Sequence, residues 1–384
     1  MSSTSERWFG AGHSTAADPA KAGGEAAAQA IARRTPAAVF VFASGEYDAV
    51  AVLAGVRAEA GDAVVVGGVG LGELTGAGAT AHGVAVAALG GPGFTVRARA
   101  AGIAELGARA AGAEAAAAMA EIDAPHTALL LVADGTALGP HEIVRGAYSV
   151  VGAAVPLAGG LTRGSAQFLG DRVLAGSVVG VALGSDRPIG IGIAHGWRRV
   201  EPPLIVTRSV GERIYELDGE PALDVLLRRA AASGAGAPGT AAELFQDGVN
   251  LQPVGLARRS GLDIRSLHAG DDEERSVFGT AEIPQGALVW LMEAERDELV
   301  AGAGAAIGAA TAALGGAEPI GLLAFDCGGR KLTLGEDGIA EEVAAMRDAL
   351  GDVPFAGFYT LGEIARLRGA SGLHQLTLVA LALA

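Results

Sequence analysis

The residue types best suited to chemistry gather near the C-terminal end of this chain. Asp326, Cys327 and Arg330 follow one short apolar run, Ile320 to Phe325, while Tyr359, Thr360 and Glu363 close a second, with one predicted helix between them. Strand, helix and strand then deliver polar groups to the same end of an α/β unit, where such units hold ligands. Arg330 offers a planar fork to a carboxylate, and Glu363 or Glu73 offers a carboxylate to an ammonium group. Those are the two charged ends of a zwitterion such as an amino acid. The same spacing also admits an internal Arg330–Glu363 ion pair tying the two strand exits together. Arg163, in Gly159-Gly160-Leu161-Thr162-Arg163-Gly164, holds a corresponding place in an earlier segment, facing either the same cleft or solvent. The expected small-ligand site is therefore Cys327, Arg330, Tyr359, Thr360, Glu363, Glu73 and Arg163. On this reading Arg330→Ala costs ligand affinity and spares the fold.

Cys327 is the only cysteine, which excludes an intrachain disulfide and a Cys-rich zinc site. A thiolate beside Arg330 would be stabilised and could serve a hydrolase or transferase, with His374 as its base; the plainer reading is a small buried residue. The seven histidines show no zinc-protease spacing, since His141-Glu142 lacks a second histidine four residues on, and no metal is expected. His195-Gly196-Trp197 reads as a strand-end histidine followed by a tryptophan over the core. The two lysines, Lys21 and Lys331, are followed by Ala22 and Leu332, so there is no phosphate-binding P-loop.

These groups must be positioned by a core of small residues. Of 384 residues half are hydrophobic, yet aromatics are only 4% and glycines number 60, so Ala, Val and Leu must pack at close backbone contacts. A net charge of −15 opposes nucleic acid and anionic lipid as partners. Met1 to Gly10 carries Glu6 and Arg7 and no apolar signal segment, and the uncharged run Leu299 to Ala317 is mostly Ala and Gly, suiting a packed helix rather than a membrane span. A reducing cytoplasm fits.

The chain repeats itself. Val41-Phe42-Ala43-Ser44-Gly45 matches Leu131-Val132-Ala133-Asp134-Gly135, and Gly67-Gly68 matches Gly159-Gly160. A third copy aligns Ser44-Gly45 with Cys327-Gly328, Leu71-Gly72-Glu73 with Leu361-Gly362-Glu363, and His82 with His374. Each copy reads β-α-β-β. Helices are predicted over Asp48 to Glu59, His141 to Val150, Pro221 to Ala232, and Glu336 to Leu350, where Ile339, Val343, Met346 and Leu350 form one apolar face. Ala231 to Thr240 reads as a linker and Asp271-Asp272-Glu273-Glu274-Arg275 as a solvated turn. The fold class is mixed α/β: repeated β-α-β-β units layered αββα with mixed sheets. A doubly wound sheet is the alternative, weakened because the glycines follow the second strand of each unit and no G-x-G-x-x-G is present.

Several of these segments, in this order, resemble the FIST family of bacterial sensory domains. In the N-terminal half they are Val66-Gly67-Gly68, Leu71-Gly72-Glu73, Pro156-Leu157-Ala158-Gly159-Gly160, Gly176-Ser177-Val178-Val179, His195-Gly196-Trp197 and Thr207. In the C-terminal half they are Phe325-Asp326-Cys327-Gly328-Gly329-Arg330 and Phe358-Tyr359-Thr360-Leu361-Gly362-Glu363. The resemblance extends from Pro36 to the C-terminus. It implies an N-terminal domain over 1–218, a C-terminal domain over 219–384, and a stand-alone cytoplasmic signal-transduction protein that binds a small polar ligand, for example an amino acid, without turning it over and without a cofactor. Because the last strand, Gln375 to Leu383, reaches the end of the sequence, a separate output protein is the expected partner. The family's association with haem gives a second implication, a haem-based gas sensor; the lack of C-x-x-C-H excludes only covalent attachment.

Overall fold

The computed structural model describes residues 6–164, 166–232, 237–246, 251–258, 261–366 and 372–384. In the first repeat, β1 (Trp8–Ser14) and α1 (Pro19–Ile31) lead into β2 (Ala38–Ser44), α2 (Ala49–Ala60), β3 (Val64–Gly70), the hairpin β4 (Glu73–Thr75) and β5 (Gly78–Thr80), and β6 (Val84–Gly90). Asp18 and Asp48 start the two helices by accepting the backbone N–H of Lys21 and Ala51.

The second repeat runs β7 (Phe94–Gly102), α3 (Ile103–Leu106), α4 (Ala108–Ala116), β8 (His126–Asp134), α5 (Pro140–Val151), β9 (Leu157–Thr162), the hairpin β10 (Gln167–Leu169) and β11 (Arg172–Leu174), and β12 (Ser177–Ser185). β13 (Ile189–Ala194) opens the third repeat, and an inserted unit interrupts it. That unit holds β14 (Arg198–Val210), β15 (Arg213–Leu217), β16 (Glu220–Pro221), α6 (Ala222–Ala232), α7 (Ala241–Phe245), β17 (Gln252–Arg258), β18 (Gly261–Asp271), β19 (Ser276–Gly279) and β20 (Leu288–Glu293). The repeat resumes with α8 (Arg296–Ala312), β21 (Gly321–Cys327), α9 (Gly328–Leu350), β22 (Phe355–Thr360), β23 (Glu363–Arg366), β24 (Leu373–His374) and β25 (Leu378–Leu383).

Two compact units result. The first is 1–196 with 299–373 and 377–384; the second is 197–298 with 374–376. Asp218, the expected domain boundary, lies among residues 197–298 of the second unit. The linker read at Ala231 to Thr240 lies partly outside the described residues.

Each repeat of the first unit lends its hairpin to another repeat's sheet. The strand orders are β1-β6-β2-β3-β10-β11, β7-β12-β8-β9-β23-β24 and β13-β25-β21-β22-β4-β5, so the exchange closes on itself after three steps. Helices lie outside and sheets face inward, as the α/β layering expected, with three sheets sharing one inner core. Strand alternation makes that possible: Phe40 and Phe42, Leu130 and Val132, and Leu323 and Phe325 point into the common core, while Val39 and Val41, Leu129 and Leu131, and Leu322 and Ala324 point out to the helices. The glycines supply the closeness. A Cβ on Gly67 would stand 1.9 Å from Val41 O, on Gly159 2.0 Å from Leu131 O, and on Gly357 1.8 Å from Ala324 O, one equivalent position in each repeat.

Register fixes the alignment. Ser44 pairs with Gly70, Asp134 with Thr162 and Cys327 with Thr360, so these strand ends correspond as the sequence indicated. The His82–His374 match is displaced by two residues: Val84 and Leu378 are equivalent through their partners Ala43 and Asp326, which places Leu376 opposite His82.

In the second unit β14 pairs with both β20 and β15, closing the sheet around a core of Leu204, Val206, Leu223, Leu226, Phe245 and Val289. The acidic turn after Asp271 is more than a solvated loop. Asp271 accepts the backbone N–H of Glu273 and Glu274 and pairs with Arg213 at 2.7 Å, and Arg275 bonds Asp224.

Candidate functional site

Alternation along β21 and β22 separates the residues that their sequence positions group together. Asp326 and Tyr359 face outward beneath α8 and α9, whereas Cys327 and Thr360 face inward. Arg330 therefore does not pair with Glu363. It is completely buried on the outer side, with Nε donating to Asp326 Oδ1 at 2.9 Å, Nη2 to Glu342 Oε1 at 2.5 Å and to Leu299 O at 3.0 Å, and Nη1 to His195 O at 2.6 Å. Burial alone would lower its pKa, but the two carboxylates overcome this and raise it above the ordinary value. Two acids share one cation here. Desolvation, then the Glu342 charge, pushes Asp326 well above the usual carboxylate range. Burial and Glu342 likewise raise Tyr359, whose hydroxyl lies 3.4 Å from Glu342 Oε2.

On the inner side, Glu363 is fully enclosed. Thr360 Oγ1 donates to Oε1 at 2.6 Å, Thr377 donates to Oε2 through N at 3.1 Å and Oγ1 at 2.8 Å, and the Cys327 thiol also donates to this carboxylate. Desolvation outweighs those donors and lifts Glu363 to about 7. His374, named from sequence as the base for Cys327, lies in the second unit, its Nδ1 3.8 Å from Asp263.

The same position recurs in the other repeats. Gln167 in the second repeat donates through Nε2 to Thr162 Oγ1 at 2.7 Å and accepts Ser177 N at 3.1 Å, reproducing Glu363 with Thr360 and Thr377. Glu73 is the third equivalent: it pairs with Phe358 as Gln167 pairs with Gly68 and Glu363 with Gly160. Here the two hydroxyl residues are replaced by Gly70 and Gly83. Glu73 instead turns its Oε1 to the Thr80 hydroxyl and to His13 Nε2 at 3.6 Å, and among the described residues its buried Oε2 has no donor. Among the described residues the buried Ser44 hydroxyl, at the equivalent of Cys327, also has no hydrogen-bond partner.

Around Glu73 the first repeat gathers groups from several elements. Lys331, at the start of α9, donates Nζ to Leu71 O at 2.7 Å and lies 4.9 Å from the Tyr359 ring centre; burial lowers its pKa against the pull of Glu73. Burial and the Glu73 charge together raise Tyr47. Beyond His13 opens a cleft of about 280 Å³ lined by His13, Gln29, Thr75, Ala77, Pro354 and Phe355. Arg163 is exposed, its Cδ 4.0 Å from where a Cβ on Gly45 would lie. The repeat comparison thus singles out His13, Thr80 and Lys331, which the motif reading passed over. The signal was present as Gly70 and Gly83 standing where the other copies carry Thr or Ser.

Residues 37–220 match the FIST N domain and residues 222–366 the FIST C domain. The chain belongs to the FIST family. FIST domains are associated with signal transduction. This FIST chain is 30% identical over 233 residues to an uncharacterized protein of Mycobacterium tuberculosis strain H37Rv, covering 60% of this chain and 59% of that protein. It is 29% identical over 232 residues to an uncharacterized protein of Mycobacterium bovis, covering 60% and 58%. The aligned part therefore spans under two thirds of these relatives. Both family matches extend into the inserted unit, whose residues 197–298 contain the junction between them. Among the described residues no helix is long and apolar enough to cross a membrane.

Proposed function

We propose that this FIST chain senses a small polar molecule carrying an ammonium or other donor group, captured by the buried Glu73, whose neighbour His13 lines the adjacent cleft. The observation that carries this reading is the asymmetry among equivalent positions: Gln167 and Glu363 are hydrogen-bonded within the fold, and Glu73 keeps a buried oxygen for something else. A buried acceptor without a donor costs about 1–3 kcal/mol, so a ligand that supplies one recovers that energy on binding. The cleft, near 280 Å³, sits at the small end of ligand pockets and suits a molecule of amino-acid size.

A thermal-shift screen of the amino acids and simple amines, followed by calorimetric titration of the strongest hit, tests the proposal. Glu73→Gln keeps the shape and removes the charge, and affinity should fall about tenfold to a hundredfold. Unchanged affinity in Glu73→Gln would place the ligand elsewhere.

A further inference from the structure

Arg330 and Lys331 are neighbours in the first turns of α9 and reach in different directions. Lys331 holds Leu71 O, two residues before Glu73, and feels the Glu73 charge. Arg330 holds His195 O and Leu299 O. His195 is the penultimate residue before the chain leaves the first unit, and Leu299 is the first after it returns. One buried guanidinium thus grips both ends of the insertion.

The grip leaves no slack. Gly302 of α8 faces the departing chain so closely that a Cβ there would stand 2.8 Å from Gly196 N and 2.9 Å from His195 C. Burial, then the Arg330 charge, lowers the pKa of the His195 imidazole. Gly335 breaks α9 with φ of 64°, which separates the segment 328–334 from the long amphipathic stretch 336–350 packed on the sheet. The segment that carries both side chains is therefore short, bonded at each side, and not continuous with the helix behind it.

We infer that segment 328–334 is the transmitter of this sensor, carrying a change at Glu73 through Lys331 and Arg330 to His195 and Leu299, the two ends of the inserted unit. The inference rests on the Glu73 reading of the site. A donor arriving at Glu73 offsets its charge and weakens its pull on the Lys331 ammonium; in a low-dielectric surround such a change is felt over several ångströms. Lys331 shares its short stretch of backbone with Arg330, so a shift of the segment moves both side chains. The inserted unit is then the part of the molecule that reports the ligand.

Hydrogen exchange followed by mass spectrometry on the full chain tests this without any ligand. Glu73→Gln imitates neutralisation at the site, and Lys331→Met removes the connecting ammonium. Both should speed exchange in peptides spanning 193–197 and 297–301 by about threefold to tenfold, with peptides of α4 and α5 unchanged. Coupling is reciprocal, so Gly302→Ala, remote from Glu73, should alter the affinity for the screening hit by a similar factor. Unchanged exchange at both ends of the insertion would overturn the inference, and so would an equal rise across all three sheets, which is global destabilisation. Retained affinity in Glu73→Gln together with altered exchange at 193–197 would sink the site assignment and leave the transmitter standing.

Discussion

Glu73 and Glu363 occupy the same place in two copies of one repeat, yet Glu363 is ringed by donors from Thr360 and Thr377 while Glu73 faces Gly70 and Gly83 at the corresponding positions. With glycine in place of the two hydroxyl residues, one Glu73 carboxylate oxygen has no donor among the described residues. The same comparison explains why Gln167 can stand where the other copies have an acid: its amide donates to Thr162 and accepts from Ser177, using both ends.

Glu363 should make stability depend on pH. Its folded pKa, about 7, lies above the ordinary carboxylate value of 4.5, so the folded state holds the proton more tightly than the unfolded chain. The stabilisation is complete below pH 4.5 and is lost as pH rises to 7, an amount of about 3 kcal/mol at 1.36 kcal/mol per unit. Urea unfolding at pH 5 and pH 8 measures it. Glu363→Gln, which installs the second repeat's arrangement, should fold and remove this component; an unaltered pH slope in that variant would assign the effect to another group.

Arg330→Met should damage the fold rather than ligand affinity alone, reversing the expectation drawn from sequence. It strands Asp326 and Glu342 in the interior, and breaking a buried ion pair costs about 3–5 kcal/mol. Arg330→Lys keeps the charge but cannot span four acceptors on four segments, so it too should lower the urea midpoint. A midpoint within error of wild type in both variants would show that the network is dispensable.

What the sequence could show followed from pattern, and what it hid followed from direction. The matches of Ser44, Asp134 and Cys327, and of Glu73 and Glu363, located the repeats because short strands and their glycines leave a strong local signature. The helix 336–350 was legible from its apolar period, and Gly335 explains why it reads as starting at Glu336. Grouping Arg330 with Glu363 failed because Asp326, which holds Arg330, and Cys327, which donates to Glu363, are strand neighbours that point to opposite faces, and which face is inner depends on three sheets closing around a shared core. Hairpin exchange was equally hidden, since nothing local tells Glu73 to pair with Phe358 rather than within its own repeat.

Gly357→Ala should be severely destabilising although glycine there has an ordinary backbone angle. The added methyl would lie 1.8 Å from Ala324 O and 2.7 Å from Ala324 C, backbone atoms of the neighbouring parallel strand that cannot rotate away. Overpacking of this kind costs about 1–3 kcal/mol and more where the backbone must part. Gly78→Ala, with nothing within 4 Å but a φ of 144°, serves as a comparison for strain without contact. A smaller loss of thermal stability at Gly357 than at Gly78 would contradict the close-contact account.

Gly83→Ala separates site from scaffold. A Cβ at this position would come 2.3 Å from Glu73 Oε1, 2.9 Å from Thr80 Oγ1 and 3.0 Å from His13 Nε2, all far ends of side chains that can swing aside. The fold should therefore survive, with a cost of about 1 kcal/mol, because no backbone atom is displaced. The carboxylate, hydroxyl and imidazole cannot keep their mutual arrangement, and ligand affinity should fall at least tenfold. Calorimetry with the hit from the amine and amino-acid screen, alongside thermal unfolding, reads both quantities in one protein. Full affinity in Gly83→Ala would mean that the Glu73–Thr80–His13 arrangement is not what the ligand meets, and unfolding of the variant would make this glycine a packing residue like Gly357.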